Sequence, residues 1–140
     1  MLAGITSFVF GAAGAAACWV LLEFVGKPFR KFFDMKRDGL EVLSLYGNVE
    51  VPPLSLFSSE GSSPIWKRIR DAQDVFRSHG SRFLAFAATE HLPVRALKLF
   101  GFDPEQAGRG FIGLSNTLDE YGASRHQNRV LIERSLRASI

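Results

Sequence analysis

A run of glycines at residues 108–113, GRGFIG, has the G-x-G-x-x-G spacing of dinucleotide-binding loops. That spacing holds a pyrophosphate when it follows a strand and opens a helix, because the phosphates then approach the helix N-terminus. Here Asp103 and Gln106 have the spacing of a capping box, so the helix starts before the glycines, and no strand pattern precedes it. We therefore expect the glycines to serve close helix–helix packing or a local kink, and not a nucleotide.

The other reactive side chains form no recognisable constellation. His79, His91 and His126 are too far apart for the i, i+4 pairing of helix-borne zinc sites, and His79 falls on an apolar seam. Ser115 lacks the second glycine of the G-x-S-x-G nucleophile elbow. The single cysteine, Cys18, lies within an apolar run. We assign no catalytic residue, no metal site and no cofactor, and we expect a protein that is not an enzyme.

Four arginines near the C-terminus are the natural place to look for a nucleic-acid site. Arg125, Arg129, Arg134 and Arg137 have no aromatic residues between them, and Glu133 interrupts the run. We expect a solvated surface or a contact with an acidic patch on a neighbouring subunit, and no nucleic-acid partner.

The charges are distributed very unevenly along the 140 residues. The chain has 17 Lys and Arg and 14 Asp and Glu, for a net charge of +3. Glu23 is the single charged side chain among residues 1–26. Residues 2–22 are uncharged and would form roughly 31 Å of helix, close to the roughly 30 Å hydrocarbon core of a bilayer. The pattern predicts a transmembrane helix within residues 1–26. A cleaved signal peptide is the alternative, but it would carry a basic segment first. A hairpin buried in a soluble core is the other alternative.

Basic residues cluster just after this predicted span. Lys27, Arg30, Lys31, Lys36 and Arg37 follow it, whereas no cationic side chain precedes it. By the positive-inside rule the C-terminal part stays in the cytoplasm and the short N-terminus crosses a bacterial inner membrane.

Small residues are dense in the span and offer a packing face. Gly11, Ala13, Gly14, Ala15 and Ala17 include small-xxx-small pairs, which let another transmembrane helix approach closely. The alternative is an apolar helix with no dedicated partner.

Residues 27–47 predict a basic amphipathic helix at the lipid interface, ending at Gly47. The residues assigned to the interface with anionic headgroups are Lys27, Phe29, Arg30, Lys31, Phe32, Phe33, Lys36 and Arg37. The alternative is that the phenylalanines cap the core of the following domain. Residues 48–62, with Pro52-Pro53 and four serines, are typical of an extended linker.

Residues 63–140 predict a small cytoplasmic helical bundle. Ser63-Pro64 is a helix start, and apolar residues then recur every three or four positions, as in a helix packed along a seam. The seam residues are Ile65, Ile69, Ala72, Phe76, His79, Phe83 and Phe86. Shorter helices are expected from Pro93 to Phe100, from Asp103 to Tyr121-Gly122, and onward from Ser124 as N-cap. The fold class is therefore all-α: a transmembrane helix, an interfacial helix and a bundle.

Three segments also resemble a known group of proteins. Residues 24–34 (FVGKPFRKFFD), residues 46–49 (YGNV) and residues 113–117 (GLSNT) followed by Tyr121-Gly122 are similar to small single-span inner-membrane proteins of alphaproteobacteria. The resemblance implies a bacterial inner membrane. It implies no activity and no site residues.

Together these patterns predict a non-catalytic accessory or scaffold subunit of a larger inner-membrane complex. It would pack through its span against other membrane subunits and dock on their cytoplasmic face. A membrane-surface lipid-binding or sensor module is the alternative. A membrane-tethered enzyme would instead require a polar pocket that gathers His79, Glu90 or His91. Whether a lipid, quinone or pigment binds between the helices is left open.

Overall fold

The computed structural model describes residues 14–47, 49, 64–118 and 123–138, and every regular element in these ranges is helical. This confirms the all-α prediction. Residues 14–21 are α-helical and continue through a π-helical turn, Leu22–Gly26, into helix α1 without a break. The α-helices are α1 (Lys27–Tyr46), α2 (Pro64–Thr89), α3 (His91–Leu99), α4 (Pro104–Asn116) and α5 (Ala123–Ser135). The predicted linker lies outside the described residues except for Val49.

The helix boundaries agree with local signals in most places. Helix α2 is described from Pro64, the predicted first helical position, and runs without interruption to Thr89, whereas its predicted cap, Ser63, lies outside the described residues. The Asp103 carboxylate accepts a hydrogen bond from the Gln106 backbone N–H at 3.2 Å, which confirms the predicted N-cap of α4. Between α3 and α4 the chain reverses at Gly101, whose φ of +81° suits a residue without a Cβ.

Three boundaries differ from the sequence predictions. Helix α4 ends at Asn116, because the next residue, Thr117, leaves the helical conformation with φ −115° and ψ 12°. The Thr117 hydroxyl and backbone N–H both donate to the Gly113 carbonyl, at 2.9 and 3.1 Å. The predicted stop at residues 121 and 122 lies outside the described residues. Helix α5 begins at Ala123, so Ser124 lies inside the helix instead of capping it. Helix α3 begins at His91, two residues before the predicted Pro93.

Successive packed helices run antiparallel to one another. Helix α1 lies along α2, with Tyr46 next to Phe76 at one end and Phe32 next to Phe86 at the other. Helices α2 and α4 make the most extensive contact, and α4 packs on α5 along its other side. Helix α1 therefore belongs to the same core as the helices after residue 63.

Aromatic rings fill this core. The fully buried phenylalanines are Phe32, Phe76, Phe83, Phe86 and Phe111. The rings of Phe83 and Phe111 stack with centroids 5.6 Å apart and planes inclined by 6°. Five of the seven predicted seam residues are buried, which confirms the packed seam of α2. Ile65 is exposed, and His79 is half-buried with its Nδ1 2.9 Å from the Val75 carbonyl.

The glycine run lies within α4 and packs it against two neighbours. A Cβ on Gly80 of α2 would lie 2.9 Å from the Gly108 carbonyl oxygen, so these two backbones touch. On the other side, a Cβ on Gly110 would lie 2.7 Å from Cγ1 of Ile132, and one on Gly113 would collide with Asn128. The prediction of close helix packing is confirmed, and α2 continues straight through Gly80.

Candidate functional site

Residues 14–26, the apolar extension, project from the helical core as a direct continuation of α1. None of its residues is buried, and Trp19, Leu22 and Phe24 are 61%, 69% and 62% exposed. The first buried residue is Pro28. A contiguous exposed apolar surface of this kind marks a site of contact with protein or membrane.

The apolar extension contains the second half of the predicted membrane span. Residues 2–13, including Gly11 and Ala13 of the predicted packing face, lie outside the described residues. Within the described part, no helix has both the length and the apolar character needed to cross a bilayer. Gly14, Ala15 and Ala17 are exposed, and a Cβ added to Gly14 would meet no atom within 4 Å.

A π-helical turn separates the apolar extension from α1. The Lys27 backbone N–H bonds to the Leu22 carbonyl five residues earlier, which inserts one extra residue into the helical repeat. At the same level, Lys27 Nζ lies 2.6 Å from Glu23 Oε1 in an exposed ion pair. The apolar side chains are exposed up to this turn, and buried ones first occur after it. The extra residue in the turn also rotates the side chains that follow relative to those before it.

The predicted interfacial residues divide between surface and core. Lys27, Arg30, Lys31 and Arg37 are exposed, as is Phe33, whereas Phe29 is half-buried against the core. Phe32 departs from the interfacial expectation, because its side chain is 0% exposed. Its ring packs 6.3 Å from Phe83, 6.0 Å from Phe86 and 5.5 Å from Phe102. Phe32 therefore follows the alternative interpretation, in which the phenylalanines of this helix pack on the core of the following domain.

Lys36 also makes its contacts within the protein. Its Nζ lies 4.9 Å from the centroid of the Phe102 ring, and the Arg137 guanidinium lies 5.8 Å from the same ring. Burial lowers the pKa of Lys36, and the nearby positive charge of Arg137 lowers it further. Lys36 is therefore less available to a lipid headgroup than the four exposed cations.

Two adjoining clefts open where the apolar extension meets the core. The first, of about 610 Å³, lies between α1 and the C-terminal part of α2 and is lined by Lys27, Arg30, Lys31, Asp34, Met35, Arg82, Ala85, Phe86 and Thr89. The second, of about 680 Å³, is lined by Trp19, Glu23, Phe24, Lys27, Pro28, Lys31 and Glu90. Lys27 and Lys31 line both clefts, which are therefore contiguous.

The histidines do not converge on these clefts. His79 lies eleven residues before Glu90, or roughly 16 Å along the axis of α2, and its ring centroid is 6.1 Å from that of Phe111. His91 is exposed at the start of α3. The structure therefore keeps His79 apart from Glu90 and His91. Among the described residues, no three His, Cys, Asp or Glu side chains are grouped so that they could hold a metal.

The C-terminal arginines have structural partners that the sequence analysis missed. Arg125 Nη2 donates to the backbone carbonyls of Gly47 and Val49, at 2.9 and 2.8 Å, and so ties the end of α1 to α5. Arg129 pairs with Glu133 at 2.9 Å. Arg137 also donates to the Phe100 carbonyl at 2.7 Å. Arg125 therefore departs from the expected solvated surface, because it binds two backbone carbonyls of another segment. No local pattern signals the Arg125 contact, because its partners lie more than 70 residues earlier.

Comparison with known proteins adds no constraint on the site. No protein-family model matches the chain, and neither a curated protein nor a solved structure is similar to it. The resemblance to single-span alphaproteobacterial proteins therefore stays a prediction. The apolar extension, the exposed cations and the two clefts are the features from which a function can be inferred.

Proposed function

We propose that this protein is a non-catalytic accessory or scaffold subunit of a bacterial inner-membrane complex. Its N-terminal helix would lie in the membrane beside helices of other subunits, and its helical bundle would dock on their cytoplasmic face. The observation that carries the proposal is the unbroken helix from residue 14 to Tyr46. At one end of that helix every side chain except that of Glu23 is exposed and either small or apolar, and the other end is built into the core.

The exposed side chains of the apolar extension supply the driving force. Transferring a large apolar side chain from water to an apolar environment is worth about 1.5–3 kcal/mol, so Trp19, Leu22 and Phe24 together favour lipid or protein contact. Residues 2–22 have the length and composition of a membrane span. Because the extension and α1 are one helix, a partner that binds the extension would also orient the bundle.

The positions of the cations support the proposed orientation. Lys27, Arg30 and Lys31 are exposed immediately after the apolar extension. This is the level at which a helix leaving the bilayer meets the headgroups, and basic residues there favour the cytoplasmic side. The cytoplasmic location of the bundle follows from this argument.

Small side chains support contact with a second helix. Gly14 and Ala15 follow Gly11 in the sequence by three and four positions, the spacing of one helix face, and both are exposed in the structure. Small residues let two helix backbones approach closely enough for dispersion contacts, which drive association within lipid.

The test is purification of the tagged full-length chain from its native membranes in mild detergent, followed by mass spectrometry. The expected result is a stoichiometric membrane partner. A variant with Gly14→Leu and Ala15→Leu should stay in the membrane but lose that partner, because leucine holds the helices apart. Val20→Leu, on another side of the same helix, is the matched control and should keep the partner. A strictly monomeric protein that purifies alone would contradict the proposal.

The exposed cations favour a second candidate, a membrane-surface lipid-binding or sensor module. In that case Lys27 and Lys31 should react more slowly with an amine reagent in nanodiscs that contain anionic lipid than in neutral ones. Lys67, exposed on α2, is the control within the chain and should react equally in both. Equal reactivity of all three lysines in the two lipids would count against this candidate.

A further inference from the structure

The first cleft has a cationic rim assembled from two helices. Helix α1 contributes Lys27, Arg30 and Lys31, and α2 contributes Arg82. Asp34 is the one carboxylate among its lining residues, so the rim carries a net charge of +3 from four cations and one anion. The floor is apolar and consists of Met35, Ala85 and Phe86. A cationic rim over an apolar floor is complementary to an anionic amphiphile.

Three of these cations have little compensation within the described part of the chain. Arg30 has no ion-pair partner there, and Lys31 rests over the Phe86 ring with its Nζ 5.8 Å from the centroid. Arg82 Nη2 reaches Asp38 Oδ2 only at 3.7 Å, and that carboxylate also lies 3.4 Å from Arg37. Neighbouring like charges repel, so an anion between them would lower the energy of the cluster.

The carboxylates near the clefts are mostly engaged elsewhere. Asp34 lies 4.0 Å from Arg37, which does not line the cleft, and Glu23 is paired with Lys27 of the rim. Glu90 lines the second cleft. Among the described residues, no carboxylate forms an ion pair with Arg30 or Lys31, and Arg82 shares the Asp38 carboxylate with Arg37.

The second cleft provides an apolar path from the cationic rim to the apolar extension. It shares Lys27 and Lys31 with the first cleft, and its apolar lining consists of Trp19, Phe24 and Pro28. The carboxylates of Glu23 and Glu90 also line it, so the apolar path runs beside the three apolar side chains only. The Phe24 side chain is exposed in the structure, as is that of Trp19. A ligand with a charged head in the first cleft would thus lay an apolar tail against these rings.

We propose that the two clefts together bind one molecule of an anionic phospholipid. Its phosphate receives charge-assisted hydrogen bonds from Arg30, Lys31 and Arg82, and an acyl chain lies along Trp19 and Phe24. The inference rests on the proposed membrane attachment, because that attachment sets the clefts at the level of the headgroups. A basic helix is attracted to any anionic membrane surface. The proposed site is more specific, because residues of two helices bind a single lipid molecule.

The test is a titration of the full-length protein, held in non-ionic detergent, with short-chain phosphatidylglycerol by calorimetry. Arg30→Gln, Lys31→Gln and Arg82→Gln combined should weaken binding roughly tenfold to hundredfold, since each removes a charged donor. The matched control combines Lys67→Gln, Arg68→Gln and Arg70→Gln, which removes three exposed charges from α2 at a distance. This control should bind like the unaltered chain. Asp34→Asn should bind several-fold more tightly because it removes the opposing charge.

Two further ligands identify the source of the phosphate. Glycerol 3-phosphate carries the charge without a tail and should bind much more weakly than phosphatidylglycerol, as should short-chain phosphatidylcholine, whose head is zwitterionic. Equal affinity for glycerol 3-phosphate would overturn the assignment of a lipid. Unchanged affinity in the triple variant, or an equal loss in its control, would overturn the site. Circular dichroism melts check that each variant is folded.

The outcome is separable from that of the proposed function. If phosphatidylglycerol binds at the clefts but the protein has no membrane partner, the proposed accessory role fails and the lipid site stands. If a membrane partner is found but the triple variant binds lipid unchanged, the lipid site fails and the accessory role stands.

Discussion

Phe24 and Phe32 lie eight residues apart on one continuous helix, yet 62% of Phe24 is exposed and none of Phe32 is. Both are phenylalanines with one charged and one apolar neighbour, Glu23 and Val25 for Phe24, Lys31 and Phe33 for Phe32. The difference is that α2 packs against the helix at Phe32, whereas the described residues leave most of Phe24 uncovered. An apolar side chain on a helix therefore reports only that some apolar partner is needed. The tertiary structure decides whether that partner is the protein core, lipid or another protein.

The sharpest test of this difference is to truncate each ring. Phe32→Ala should lower the free energy of unfolding by about 3–5 kcal/mol, because it leaves a cavity among Phe83, Phe86 and Phe102. Phe24→Ala should change it by less than about 0.5 kcal/mol. Guanidinium unfolding of the full chain in detergent, followed by helical circular dichroism, measures both. Equal losses would mean that Phe24 is part of the folded core.

Glycines allow the same comparison with a smaller effect. Gly80→Ala should destabilise the protein by about 1–3 kcal/mol, since the new Cβ would press on the Gly108 carbonyl and force α2 and α4 apart. Gly14→Ala meets no neighbour and should be neutral or stabilising by up to about 1 kcal/mol, as alanine favours helix. Thermal melts in detergent compare the two variants. A tolerated Gly80→Ala would contradict the close contact of α2 with α4.

Arg125 tests whether the end of α1 is held by α5. Arg125→Gln should cost about 1–2 kcal/mol, because it leaves the Gly47 and Val49 carbonyls with one donor fewer. Arg134→Gln, at an exposed position of the same helix, removes the same charge and should cost almost nothing. Hydrogen exchange near Tyr46 should quicken in the first variant only. Equal protection in both variants would show that this contact does not secure the end of α1.

The smallest expected effect concerns pH and Lys36. Burial and Arg137 lower the pKa of Lys36 in the folded state, so the folded chain releases this proton at a lower pH than the unfolded chain. Between the folded pKa and the ordinary value of about 10.4, the unfolded state binds more protons, and stability rises with pH. Lys36→Met should lose this increment. Melting temperatures of both proteins across that range measure the difference. A parallel pH dependence in the two would contradict the lowered pKa.

The sequence predicts the local parts of this fold well. The N-cap at Asp103 and the apolar seam of α2 agree with the structure. The cap depends on residues three positions apart, and the seam is readable because apolar residues three and four positions apart share one face of a helix. The glycine run of α4 was also predictable from local signals. The capping residues before it place the glycines inside a helix, whereas a phosphate-binding loop would precede one.

The candidate site was predictable only in part. The sequence identifies Arg30 and Lys31 as interfacial cations, but it does not associate them with Arg82, which follows about 50 residues later. It also gives Phe32 and Phe33 the same role, although one ring is buried and the other exposed. A helix of 3.6 residues per turn separates neighbouring side chains by about 100°, so the position of α2 decides which of the two enters the core.

The amino-acid sequence by itself determined the all-α class, the cap of α4 at Asp103, the apolar N-terminal stretch and the cationic cluster that follows it. The tertiary structure alone decided three further points: α1 belongs to the core, Arg125 holds its end, and Arg82 completes a cationic rim with Arg30 and Lys31. The physical reason is the range of the interactions. Helical propensity and capping act within a turn, whereas burial and charge clustering depend on which distant segments pack together.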